Sequence, residues 1–139
     1  MIVNMTHVVA EVAAAQAAYE KALAENDAFL LNALTWEGPH TVRYGFDDMQ
    51  YGSGEIRKLN ASRHPVNNRI MVASTTITTF GHDNATVNTE FGCDDSELYG
   101  RRTVVWARVG PDSQPEAGLH GGWRVVASHE SVVSRRPCI

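Results

Sequence analysis

Two cysteines in 139 residues, Cys93 and Cys138, are too few and too far apart for a CxxC pair, so a zinc ribbon, a dithiol redox centre and a disulfide scaffold are not expected. No run approaches the roughly 18 apolar residues of a membrane span. The opening stretch MIVNMTHVVAEVAAAQ lacks the basic segment and continuous apolar core of a secretory signal. The expectation is a cytoplasmic protein with no membrane partner. Lys and Arg number 12 against 16 Asp and Glu, a net charge of −4, and the basic residues do not cluster, which argues against nucleic acid as a partner. Also missing are a GxSxG elbow, the Lys-Ser or Lys-Thr ending that would make YGSGEI a phosphate loop, and any HxH or HxxxH pair among the six histidines. A protein working without metal or cofactor is expected, its chemistry resting on proton transfer and electrostatics.

What is present is ordinary globular composition, 43% apolar and 20% charged, in a length that suits one domain over residues 1–139. From Thr6 to Ala24 the chain is rich in Ala, Glu, Gln and Lys, with Val8, Val12, Tyr19 and Leu23 on one helical face. Asn26 and Asp27 read as a break and N-cap before a second helix, AFLLNAL, with Phe29, Leu30 and Leu34 on its buried side. TVRYG reads as a short strand and FDDMQYG as a turn and return strand. Ser53 is placed to cap a third helix that His64 and Pro65 close. Four long segments rich in Val, Ile, Thr and aromatics follow: NRIMVASTTITTF, NATVNTEFG, RRTVVWARV and GGWRVVASHESVV. They predict an antiparallel meander. Helices first and strands after, without alternation, predict an α+β fold in which N-terminal helices pack on a curved sheet and enclose a pocket.

Arg43 stands where a valine would pack better. Its guanidinium cannot shed its charge and needs an anion if it points inward. It is either outward and paired with Asp47 or Asp48, or inward and holding a substrate carboxylate at two points. Tyr19 brings a hydroxyl to the apolar face of the first helix. It is either core with its hydroxyl at the rim, or a pocket phenol whose ionised form a neighbouring arginine favours and which exchanges a proton with substrate. Strand parity in GGWRVVASHESVV groups His129 and Ser131 with Trp123 and Val125, toward the pocket or the core. Tyr44, Tyr51, Arg63 and Arg102 are further candidates for the pocket wall. Val104, Trp106, Val126 and Val132 share the other parity and predict an apolar patch for a homodimer through the sheet.

The order of elements resembles the cystatin-like cone of the nuclear transport factor 2-like (SnoaL-like) superfamily. TVRYG, YGSGEIRKLNASR, TTFGHDNATVNTEF, GRRTVVWARV and GGWRVVASHESVV, in that order, resemble the AtzH-like family, which includes proteins of oxalurate and cyanuric acid breakdown. The resemblance implies a cofactor-free, decarboxylating amidohydrolase acting on a small anionic amide or urea carboxylate. In that family a first-helix tyrosine and the arginine before the Tyr-Gly pair are catalytic, which falls on Tyr19 and Arg43 here. Tyr44, Tyr51, Arg63, Arg102, His129 and Ser131 are then the candidates for binding substrate. Two other readings stand beside it: a non-catalytic protein that binds such an anion or docks on a pathway amidase, and an isomerase or cyclase using His129 or an acidic residue as base.

Overall fold

A computed structural model of the chain describes residues 1–63, 70–93 and 97–134. Helix α1 runs from Thr6 to Glu25 and buries Val8, Val12, Ala15, Tyr19, Ala22 and Leu23, the stripe that the 3.6-residue period predicts. It ends at Asn26 in the left-handed conformation, φ 57°, a conformation asparagine tolerates better than most residues. Asp27 opens α2 (Ala28–Ala33) by accepting a hydrogen bond from the Leu30 amide at 3.0 Å, which satisfies one of the unpaired donors of the first turn. On α2 Leu30 and the capping Leu34 pack on the core as expected, but Phe29 is 85% exposed and Leu31 is buried in its place. Six residues make less than two turns, so the contact of α2 with its neighbours, rather than its own period, decides which side is covered.

Helix α3 spans Ser53–Ser62, with Gly52 as its N-cap in place of the expected Ser53. The Ser53 hydroxyl instead accepts from the Gly38 amide at 3.0 Å and ties the helix to the preceding connection. His64 and Pro65, expected to close this helix, lie outside the described residues.

The strands are β1 (Val42–Tyr44), β2 (Met49–Tyr51), β3 (Ile70–Phe80), β4 (Asn84–Cys93), β5 (Tyr99–Arg108) and β6 (Trp123–Val133), in one sheet of order β2-β1-β6-β5-β4-β3. The four long strands form the antiparallel meander read from the sequence, and β1 joins the far side of β6 in parallel. The helices cover one face of the curved sheet, giving the α+β architecture expected. The core between them holds Val8, Val12, Leu31, Leu34, Val87, Val104, Trp106 and Trp123. Trp106 lies in it with its indole N–H donated to Gln16 Oε1 at 2.8 Å, because a buried N–H without a partner is costly. Val104 and Trp106 are therefore interior, and the dimer patch that joined them to Val126 and Val132 does not exist as a surface.

The reason is a register shift. Val105 pairs with Ala127 but Trp106 pairs with Val125, so Val126 is an extra residue in β6. A bulge of this kind reverses which side chains face the helices. Before it Trp123 and Val125 point inward; after it Ser128 and Glu130 do. No helix among the described residues is long and apolar enough to cross a membrane.

Candidate functional site

Three helices and the short-strand edge of the sheet leave a cavity of about 20 Å³, the room of a single water molecule. Its walls include Tyr19 and Leu23 of α1, Leu31 of α2, Ile56 and Asn60 of α3, Arg43 of β1, and Val125 and Ser128 of β6, with Arg63 at the end of α3. Among the described residues no aspartate, glutamate or histidine lines it.

Arg43 reaches this inner face because β1 pairs in parallel with β6 and Arg43 lies opposite Ser128. Its Nη1 donates to Asp48 Oδ1 at 3.0 Å and to Gln50 Oε1 at 2.7 Å. Both acceptors belong to the β1–β2 hairpin. Gly45 makes this possible: a Cβ there would stand 1.9 Å from Asp48 Oδ1. The second nitrogen, Nη2, is 3.8 Å from Glu130 Oε2, an electrostatic neighbour beyond hydrogen-bond length. Both features weighed from the sequence thus hold together, an inward arginine and an Asp48 partner.

Arg102 is deeper, and two of its three guanidinium nitrogens are taken. Nη1 donates to both oxygens of Glu20 at 2.8 Å and Nε to Glu130 Oε1 at 2.8 Å, while the guanidinium carbon lies 4.8 Å from the centre of the Phe91 ring. Burial works against its charge, but Glu130 and then Glu20 outweigh that and raise its pKa. Gln16 extends the chain of contacts by donating to Glu20 Oε1 at 2.8 Å. Arg102 therefore holds the two glutamates rather than the pocket, and it is absent from the cavity wall.

Arg63 presents the opposite case. Its side chain makes no hydrogen bond or ion pair among the described residues. Burial first and the charge of Arg43 second lower its pKa, the sign of a cation short of an anion. Tyr19, 8% exposed, packs edge-on against Trp106 with ring centres 5.8 Å apart, and its hydroxyl makes no hydrogen bond among the described residues. Burial raises its pKa above 10.0, and the opposing charges of Arg102 and Arg43 do not reverse this. The phenol is neutral at physiological pH. The ionised form that an adjacent arginine was expected to favour is outweighed by desolvation.

The remaining candidates lie elsewhere. His129 is exposed on the outer face of the sheet, its ring 5.4 Å from that of Tyr44, which stands 6.2 Å from Tyr51. Ser131 is on the same outer face, accepting from Arg101 Nε at 3.1 Å. The Val126 bulge put these two on the side opposite to the one parity predicted, and Tyr44 and Tyr51 pair in register with that side. Of the eight residues singled out in the sequence, Tyr19, Arg43 and Arg63 come together at the cavity and Arg102 lies behind them. Glu20, Glu130, Asp48, Gln50 and Ser128 complete the surroundings. Glu20 had a visible signal, standing beside Tyr19 and four residues after Gln16 on the helix; Glu130 and Ser128 had none without the bulge. Among the described residues no group of three His, Cys, Asp or Glu is placed to hold a metal ion.

A family model described as AtzH-like matches residues 1–136. A cystatin-like fold protein from Burkholderia xenovorans LB400 is 42% identical, with a TM-score of 0.86 over 99% of each chain. A protein of unknown function of the DUF3225 family from Pectobacterium atrosepticum SCRI1043 is 38% identical, with a TM-score of 0.83 over 94% of each. A nuclear transport factor 2-like superfamily protein from Salmonella enterica serovar Typhimurium LT2, 19% identical with a TM-score of 0.69 over 89% of each chain, shares the fold. No curated protein matches the chain. With a family model spanning nearly every residue and two solved structures this similar, the chain belongs to the AtzH-like family and has the cystatin-like, nuclear transport factor 2-like fold.

Proposed function

We propose that the protein is a decarboxylating-type amidohydrolase of small carboxylated amides or ureas. The observation that carries this reading is the juxtaposition, at one cavity, of a neutral phenol at Tyr19 and a guanidinium at Arg63, neither of which has a hydrogen-bond partner or counter-ion among the described residues. A half-buried cation without an anion costs stability, and a substrate carboxylate supplies the missing charge. Arg63 and the Nη2 side of Arg43 hold that carboxylate, and the substrate enters as Asp48, 40% exposed, leaves Arg43. Enlarging a one-water cavity in this way admits only a small planar anion.

Tyr19 then acts as an acid. Water adds to the amide carbon, the C–N bond breaks, and the nitrogen departs with the Tyr19 proton; the proton released by the water restores the phenol. A desolvated, preorganised pair of cations lowers the energy of the anionic addition intermediate. Glu130 and Glu20 act through Arg102 and Arg43, keeping both guanidiniums in place.

A second reading, a protein that binds such anions without turning them over, is favoured by one observation: among the described residues the cavity wall offers no carboxylate or imidazole to activate water. The same observation weighs against a proton-abstracting isomerase, since His129 lies on the other face. Ammonia release by the pure protein from oxalurate, malonamate and urea carboxylates separates the two. Release that Tyr19→Phe abolishes while anion binding persists supports the hydrolase; binding without release from any substrate supports the binder.

We propose a homodimer through the outer face of the sheet, where Val42, Val105 and Ala127 form an uncharged floor beside the exposed Tyr44, Met49 and Tyr51. Such a face meets a second copy of itself without charge repulsion.

A further inference from the structure

On the side of β6 away from Trp123, the Arg124 guanidinium opens on a separate cavity of about 270 Å³. Trp36 and Arg57 form one wall of it and the loop through Gly110 and Pro111 another. Arg124 is 6% exposed. Its Nη1 donates to the Leu119 carbonyl at 3.0 Å and to the Trp123 carbonyl at 2.8 Å. Nε and Nη2 make no hydrogen bond among the described residues, and no described carboxylate stands within ion-pair distance. Arg124 lines the cavity, and neither nitrogen is among the fully enclosed unpaired polar atoms of the described residues.

The backbone at Gly110 packs directly against the guanidinium. A Cβ at Gly110 would come 2.7 Å from Cζ, 2.8 Å from Nη2 and 2.9 Å from Nε, so any larger residue there would displace the arginine. Burial lowers the Arg124 pKa, with Asp112 opposing it more weakly, as expected for a cation without an adjacent anion. Arg57, 54% exposed, faces Glu37 at 3.8 Å, and Glu37 is itself 82% exposed, a pair too loose to hold either side chain. Arg57 is thus available to a ligand.

We infer that this cavity is a second binding site, for a small oxyanion of the carboxylate or phosphate kind, held at two points by Arg124 Nε and Nη2 and closed over by Arg57. Two parallel N–H donors suit the two oxygens of such a group, and Trp36 supplies a flat apolar wall for what the anion carries. Thr35 lies between this site and the Tyr19 cavity and lines both, but the proposal does not depend on the reading of that cavity.

The test follows the Arg124 Nε–H and Trp36 indole N–H signals by NMR while inorganic phosphate and acetate are titrated separately into wild-type protein. A saturable shift of both signals by either anion is expected, and the tighter anion names the ligand class. Arg57→Gln, on the surface, and Gly110→Ala should each weaken binding about tenfold or more, whereas Arg63→Gln should leave it unchanged. Failure of both anions to shift these signals saturably, or equal affinity in Arg57→Gln and wild type, overturns the proposal.

Discussion

Arg43, Arg102 and Arg63 share the inner side of the sheet near Tyr19 and differ in what neutralises them. Arg102 has two glutamates, Arg43 has Asp48 on one nitrogen, and Arg63 has none among the described residues. A site needs a cation that has not already been satisfied, so the proposed function puts anion affinity at Arg63. Arg63→Gln is expected to weaken carboxylate binding by about 1.5–3 kcal/mol, the range for hydrogen bonds to charged groups, without lowering the melting temperature, because no folded-state partner is lost. Calorimetric titration and thermal melting check both; a fall in Tm with affinity unchanged would assign Arg63 a purely structural part. Tyr19 also carries a pH signature. Its folded pKa is raised above 10.0, so the stability tied to its proton is complete below pH 10 and drains away as pH rises through the folded value. For Glu11 burial pushes the carboxyl up, but hydrogen bonds from Arg108 and Trp123 and the charge of Arg108 leave it below 4.5, so its contribution is lost as pH falls through that lowered value. Urea midpoints across pH should fall at both ends, and the alkaline fall should shrink in Tyr19→Phe.

Among the elements, helix α1, the α1–α2 break and the four-stranded meander were legible because each rests on local chemistry: the stripe through Val8, Val12, Tyr19 and Leu23, the caps at Asn26 and Asp27, and runs of β-branched residues. The side chains of β6 were legible only as far as Val125. A single extra residue in one strand leaves no compositional trace, since Val126 is as good a strand former as its neighbours, yet it decides that Ser128 and Glu130 rather than His129 and Ser131 face the helices. Likewise Arg63 could be named but not oriented, because the last turn of a helix gives no parity to read. Deleting Val126 should restore simple alternation, carry Glu130 to the outer face and leave Arg102 with one glutamate. Breaking a buried pair in this way costs about 3–5 kcal/mol, so the deletion should lower the urea midpoint steeply; an unchanged midpoint would mean that the strand slides to accommodate it.

For the whole molecule, the sheet has one face committed to the helices and one left bare around Tyr44. The proposed dimer predicts that sedimentation finds twice the chain mass, and that Tyr44→Glu gives a monomer with unaltered far-UV circular dichroism; a monomeric wild type at micromolar concentration ends the proposal. The position of β6 has a different consequence. Although it follows every other strand in the chain, it sits between β1 and β5, so β1 and β2 have no sheet to join until it arrives. During synthesis on a ribosome the Arg43 hairpin must wait, unanchored, while some eighty residues emerge, and the pocket closes in one late step when the central strand slots in. A nascent chain stalled before Trp123 would carry Arg43, Arg63 and Arg102 and still have no site.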